Sequence, residues 1–177
     1  MRRVTAAAAV LAALAAGACT PAQNGTGNDL PRSDVVSGDS QVTLERRPCF
    51  GTCPVYTVVI AADGTVTFTG VQHVDTVGTA TATIGDAAAA ALMNELVDAG
   101  FLELDDDYTM DAKGCGPYHT DAPTVITTLR VDGRTKRIEH DHGCGGAPAT
   151  LRALEERVDS VASVSRWVGG PGTRFQF

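Results

Sequence analysis

The 177-residue chain has no GxSxG serine elbow, no HExxH helix and no phosphate-cradling glycine loop. It therefore lacks the sequence signatures of α/β-hydrolases, zinc peptidases and P-loop nucleotide enzymes. Its serines are also poorly placed for nucleophilic work. Ser33, Ser37 and Ser40 fall in a polar tether, and Ser160, Ser163 and Ser165 fall in the last helical pattern and its end. Positive charge is scarce: 14 Lys and Arg stand against 21 Asp and Glu, a net −7. Such an acidic balance argues against nucleic acid as a partner. A carboxylate-based enzyme stays open, because a sequence does not show which acids converge in space. No pattern calls for a bound cofactor.

A run of apolar residues long enough for a bilayer is missing as well. Met1–Ala18 has a basic head (Arg2, Arg3), one Ala/Val/Leu segment and the small residues Ala16-Gly17-Ala18 before Cys19. The segment is shorter than the roughly 20 apolar residues a membrane helix needs. Its three parts are those of a secretory signal. Small residues directly before a cysteine resemble the lipobox of bacterial lipoproteins, although Ala16 stands where leucine is usual. The expectation is a signal over 1–18 and lipid on Cys19, which would hold the protein to a membrane of the cell envelope. Thr20 follows in place of the aspartate that retains many lipoproteins at the inner membrane, so the outer membrane is expected where there are two.

Cysteine arithmetic agrees with export. Five is odd, but with Cys19 given to the lipid four remain: Cys49, Cys53, Cys115 and Cys144. Four allow three pairings. Nearness in sequence favours Cys49–Cys53 with Cys115–Cys144, the second closing a loop worth about 3–4 kcal/mol in the chain-entropy view.

Residues 19–40 are rich in Gly, Asn, Asp, Ser, Thr and Pro without apolar periodicity, which predicts a flexible tether. Residues 169–177 open with GGPG and read as a loose tail. One domain is left, over 41–168. In it, QVTLERR alternates as a strand. VYTVVIA and TVTFTG flank Asp63-Gly64, and TVITTLRV and RTKRIEH flank Asp132-Gly133, each a hairpin signal. Residues 71–84 predict a further strand. Asp86–Ala99 predicts a helix capped by Asp86 and stopped by Gly100, and 148–162 a second helix with Leu151, Leu154, Val158 and Val161 on one face. Residues 104–122 read as a long acidic loop. The expected class is α+β: an antiparallel sheet from two hairpin units plus an N-terminal strand, with two helices packed on one face.

The nonapeptide PCFGTCPVY at 48–56, the later TDAPTVITTLRVDGRTKRIEHDHG and LRALEERVDSVASVSRWV together resemble an uncharacterised family of bacterial exported domains, typically lipoproteins. The resemblance covers nearly all of 41–168. It implies one domain in the envelope and carries no reaction and no catalytic residue.

Several residues could carry chemistry. Cys49 and Cys53, in a CxxxCP pattern, suggest a thiol pair for redox or copper work. That chemistry wants a helix N-terminus to lower the thiol pKa, and a strand pattern follows instead, which favours a structural disulfide. His140-Asp141-His142 places two imidazoles on one face if the strand continues. They read first as solvated surface. The competing reading is a zinc or copper site, with Cys144, His119 or Asp141, or with Cys49 and Cys53 if those thiols are reduced. Asp105, Asp106, Asp107 and Asp111 lack calcium-loop spacing. Arg130, Arg134, Lys136 and Arg137 either meet an anionic partner or guard a sheet edge. Trp167, the single tryptophan, is expected as a core or rim anchor. The expected function is a non-catalytic interaction or structural module, whose partners are the membrane through the lipid and an envelope protein or polymer. The alternative is thiol-redox or metal handling at Cys49 and Cys53.

Overall fold

The structure, a computed structural model, describes residues 36–169. The expected signal, the lipid site Cys19, residues 19–35 of the tether and the tail from 170 lie outside the described residues.

Seven strands form one mostly antiparallel sheet: β1 Gln41–Arg46, β2 Val55–Ala61, β3 Thr65–Gln72, β4 Gly78–Thr83, β5 Asp107–Tyr108, β6 Thr124–Val131 and β7 Arg134–Asp141. Their spatial order is β4-β3-β2-β1-β6-β7-β5. The first strand is thus central, with Leu44 paired to Val58 on one side and Thr127 on the other. The period of two decides which side chains go in. Val42, Leu44 and Arg46 of β1, Tyr56, Val58 and Ile60 of β2, and Val66 and Phe68 of β3 are buried.

The two Asp-Gly turns differ. Asp132 and Gly133 both have positive φ, 48° and 66°, and join β6 to β7 as a two-residue turn of the primed kind. Between β2 and β3 only Gly64 is left-handed, at φ 81°, and the loop has three residues. Gly64 is also pressed against Gly85, where a Cβ would stand 2.2 Å from the Gly85 carbonyl carbon.

Helices α1 Asp86–Asp98, α2 Ala149–Ala162 and α3 Ser165–Val168 complete the fold. Leu92, Met93 and Leu96 of α1 and Leu151, Leu154 and Val158 of α2 join the same buried cluster as the inward strand residues. Helix α2 contacts β1, β2 and α1, and α3 contacts β3. Trp167 stacks on Phe68 at 5.0 Å between centroids, which fixes the end of α3 as a core anchor.

Four expectations change. The predicted strand over 71–84 is interrupted: β3 ends at Gln72 and β4 begins at Gly78, with His73 at φ 55° in the turn. The acidic loop over 104–122 contains β5, which pairs parallel with β7 as Asp107↔Glu139 and Tyr108↔His140, so the sheet is not wholly antiparallel. Gly85, not Asp86, is the cap position of α1, and Asp86 instead accepts the Ala87 N–H at 2.8 Å. Among the described residues packing reaches ahead of Gln41: Val36 lies against the core, and buried Ser40 accepts the Ala62 N–H through its carbonyl.

Candidate functional site

Strand β7 turns Ile138 and His140 inward by its alternation. The strand ends at Asp141, whose carboxylate organises the turn after it. Its Oδ1 accepts the Gly143 N–H at 2.8 Å and its Oδ2 accepts the Tyr118 hydroxyl at 2.8 Å. His142 donates its backbone N–H to the Pro123 carbonyl at 3.0 Å, which prolongs the sheet direction by one residue. Two imidazoles therefore come to one face, with ring centroids 4.6 Å apart.

They meet a glutamate. Glu155 sits in the apolar stripe of α2, one turn after Leu151 and three residues before Val158, and is only 1 % exposed. His140 Nδ1 lies 2.8 Å from its Oε1 and His142 Nε2 lies 2.7 Å from its Oε2. Each oxygen of one buried carboxylate thus has its own imidazole. Burial pushes the Glu155 carboxyl up, but the hydrogen bonds and charges of His140 and His142 outweigh it and hold the pKa below the ordinary range. For His142, burial wins and depresses the pKa. His140 and Arg152 add to that, and Glu155 opposes it.

The two histidines are not solvated surface, as their sequence suggested. His140 is 3 % exposed, with the edge of Tyr108 from β5 toward its ring at 6.3 Å. Residues 114–119 pack against 143–146 and are tied there by Cys115–Cys144, with Cα atoms 4.8 Å apart. Glycines permit the approach: a Cβ on Gly143 would stand 1.9 Å from the His119 carbonyl oxygen, and one on Gly146 2.0 Å from that of Gly114. Solvent still reaches this end of the site. A surface cleft of about 440 Å³ is lined by His119, Asp121, His142 and Arg152 among others, and the Arg152 guanidinium donates to the His142 carbonyl at 3.4 Å.

One turn further along α2 lies a second polar centre. Arg46 holds Asp159 through Nη2 at 2.6 Å and Nε at 2.8 Å, and the Tyr56 hydroxyl donates to the same carboxylate at 2.7 Å. Burial disfavours the Asp159 carboxylate and raises its pKa, against the pull of Arg46 and Tyr56. Burial also works against the Arg46 charge, but Asp159, Tyr56 and Glu155 together hold its pKa above the usual value.

Cys49 and Cys53, on the β1–β2 connection, are bonded to each other with Cα atoms 5.7 Å apart. Cys49 and Cys53 are not grouped with His140 and His142: the third group beside the histidines is Glu155. Among the described residues, His140, His142 and Glu155 are the one group of three or more such side chains close enough to share an ion. The acidic run Asp105–Asp107 forms no such group. The cations of β7 are largely answered: Arg134 faces Glu103, Lys136 faces Asp106 and the Leu104 carbonyl, and Arg137 faces Glu139.

Sequence reasoning found the histidines and missed Glu155, Arg46 and Asp159. The available signal was a charge at an apolar position: Glu155 among Leu151, Leu154 and Val158, and Arg46 in line with Val42 and Leu44.

The fold and these centres define a small α+β domain carrying two disulfides and a buried carboxylate bridged by two imidazoles. The chain belongs to the family described as a domain of unknown function (DUF6438), matched over residues 40–162. Compared with the curated proteins, it matches none.

Proposed function

We propose that this is an exported envelope protein, anchored by lipid on Cys19, whose domain is a non-catalytic interaction or structural module. The observation that carries the reading is the closure of its thiols. Cys49 with Cys53 and Cys115 with Cys144 leave Cys19 as the fifth, and disulfides of this kind persist in oxidising compartments. The basic head and apolar run before Cys19 supply the export signal. The domain presents two hairpin units about β1 with both long helices on one face, a reading that the contacts of α2 with β1, β2 and α1 support. Its partners are the membrane through the lipid, and a protein or polymer of the envelope. Where there are two membranes, the outer one holds it.

Replacing Cys19 with Ser tests the reading: the chain should leave the membrane fraction or stay uncleaved. Membrane association and processing equal to the wild type would overturn it. The thiol-redox alternative gains no support from the local structure, because Cys53 leads into strand β2 and not into a helix.

A further inference from the structure

We propose that His140 Nδ1, His142 Nε2 and a Glu155 oxygen form a binding site for one divalent transition-metal ion of the zinc type, reached from the cleft beside His142. The inference does not depend on the lipid anchor.

Three features of the geometry carry it. The donor atoms converge from two separate elements, β7 with its following turn and α2, and all lie within 4.8 Å of one another. A tetrahedral ion with ligand bonds of about 2.0–2.1 Å sets neighbouring donors roughly 3.3 Å apart. The nitrogen–oxygen distances of 2.8 and 2.7 Å, each to its own Glu155 oxygen, are shorter than that by about half an ångström. Entry of an ion thus asks each imidazole to draw back from its carboxylate oxygen, and no pair of donors stands more than 4.8 Å apart before it enters.

The donor set also selects the ion. Two imidazoles and one carboxylate suit Zn²⁺, Cu²⁺ or Ni²⁺ and are too nitrogen-rich for Ca²⁺ or Mg²⁺. With both cysteine pairs bonded, no thiolate from them is present to favour Cu(I). Three protein ligands leave a fourth position, and the His142 edge of the site is the one that lines the open cleft. Arg152 on that cleft opposes a bare cation and favours an anion or hydroxide as the fourth ligand. Each imidazole must offer a lone pair where it now faces Glu155, so its proton moves to the other ring nitrogen or leaves, and affinity rises with pH.

The test uses the full chain, stripped with a chelator and titrated with Zn²⁺ alone. We expect saturable uptake of one ion per chain, a raised melting temperature, and shifts of the His140 and His142 ring resonances with His73 and His119 unmoved. Glu155→Gln and His142→Asn, each checked for native circular dichroism, should each weaken uptake by at least about tenfold. Absence of stoichiometric uptake by the folded chain would overturn the site. So would shifts confined to His73 or His119, or undiminished affinity in both folded variants. The ring resonances are read on the wild-type chain, so the outcome stands even if a variant fails to fold.

Discussion

Glu155 and Asp159 stand one turn apart on α2, and each is the carboxylate of a different polar centre. Glu155 takes two imidazoles from the β7 end, and Asp159 takes Arg46 and Tyr56 from β1 and β2. One helix face thus holds two carboxylates at helical spacing with unlike partners. The first set can ligate a metal. The second, guanidinium to carboxylate with a phenol between, ties α2 to β1 and β2.

That clamp should show its worth when one side is removed. Asp159→Ala leaves Arg46 buried without its main partner and should lose about 3–5 kcal/mol. Joint replacement by Arg46→Met and Asp159→Leu should recover most of the loss, because a well-packed apolar pair avoids the desolvation cost. Urea denaturation measures both. A loss under about 1 kcal/mol in the single variant would mean that the pair does not hold α2.

Acid should unfold the metal-free protein in two stages. His142 titrates below its unfolded value of 6.5, facing His140, Glu155 and Arg152. Through that window the unfolded chain binds more protons, so stability falls as pH drops below 6.5. Glu155 lies below its unfolded value of 4.5, so its contribution is present above that pH and lost on further acidification. Melting temperatures of chelator-treated protein should decline as pH drops below 6.5, while Asp159, whose raised pKa makes the folded chain the better proton binder, offsets part of the lower stage. In His142→Asn the upper stage should vanish. A melting temperature that rises on acidification would reverse the sign.

The two disulfides should differ in their weight. Cys115–Cys144 spans 29 residues and pins the cover over His142, so its loss should cost about 3–4 kcal/mol. Cys49–Cys53 spans four residues and should cost less by the same loop argument. Both should behave as structural bonds, with reduction potentials below about −300 mV. Titration against dithiol buffers, with each pair followed by mass spectrometry, gives the numbers. Reduction of Cys49–Cys53 at thioredoxin-like potentials with the fold intact would move the function toward redox work.

The sequence by itself determined the strands whose side chains alternate, the two helices, the Asp-Gly connections and the placing of two histidines on one face. These are local consequences of periods of 2 and 3.6 and of turn chemistry, and a short window of residues contains all the information. It also carries the expectation of an export signal, which is a matter of composition. Tertiary structure alone decided that β1 is central, that Tyr108 forms a parallel edge with His140, and that His140 is buried and His142 half-buried. Above all it decided that Glu155 is their partner, across 13 to 15 residues and from another element. A histidine pair at a strand end looks the same in sequence whether water or a helix covers it. Burial of a charge is decided by what packs above it, and that depends on strand order and helix docking.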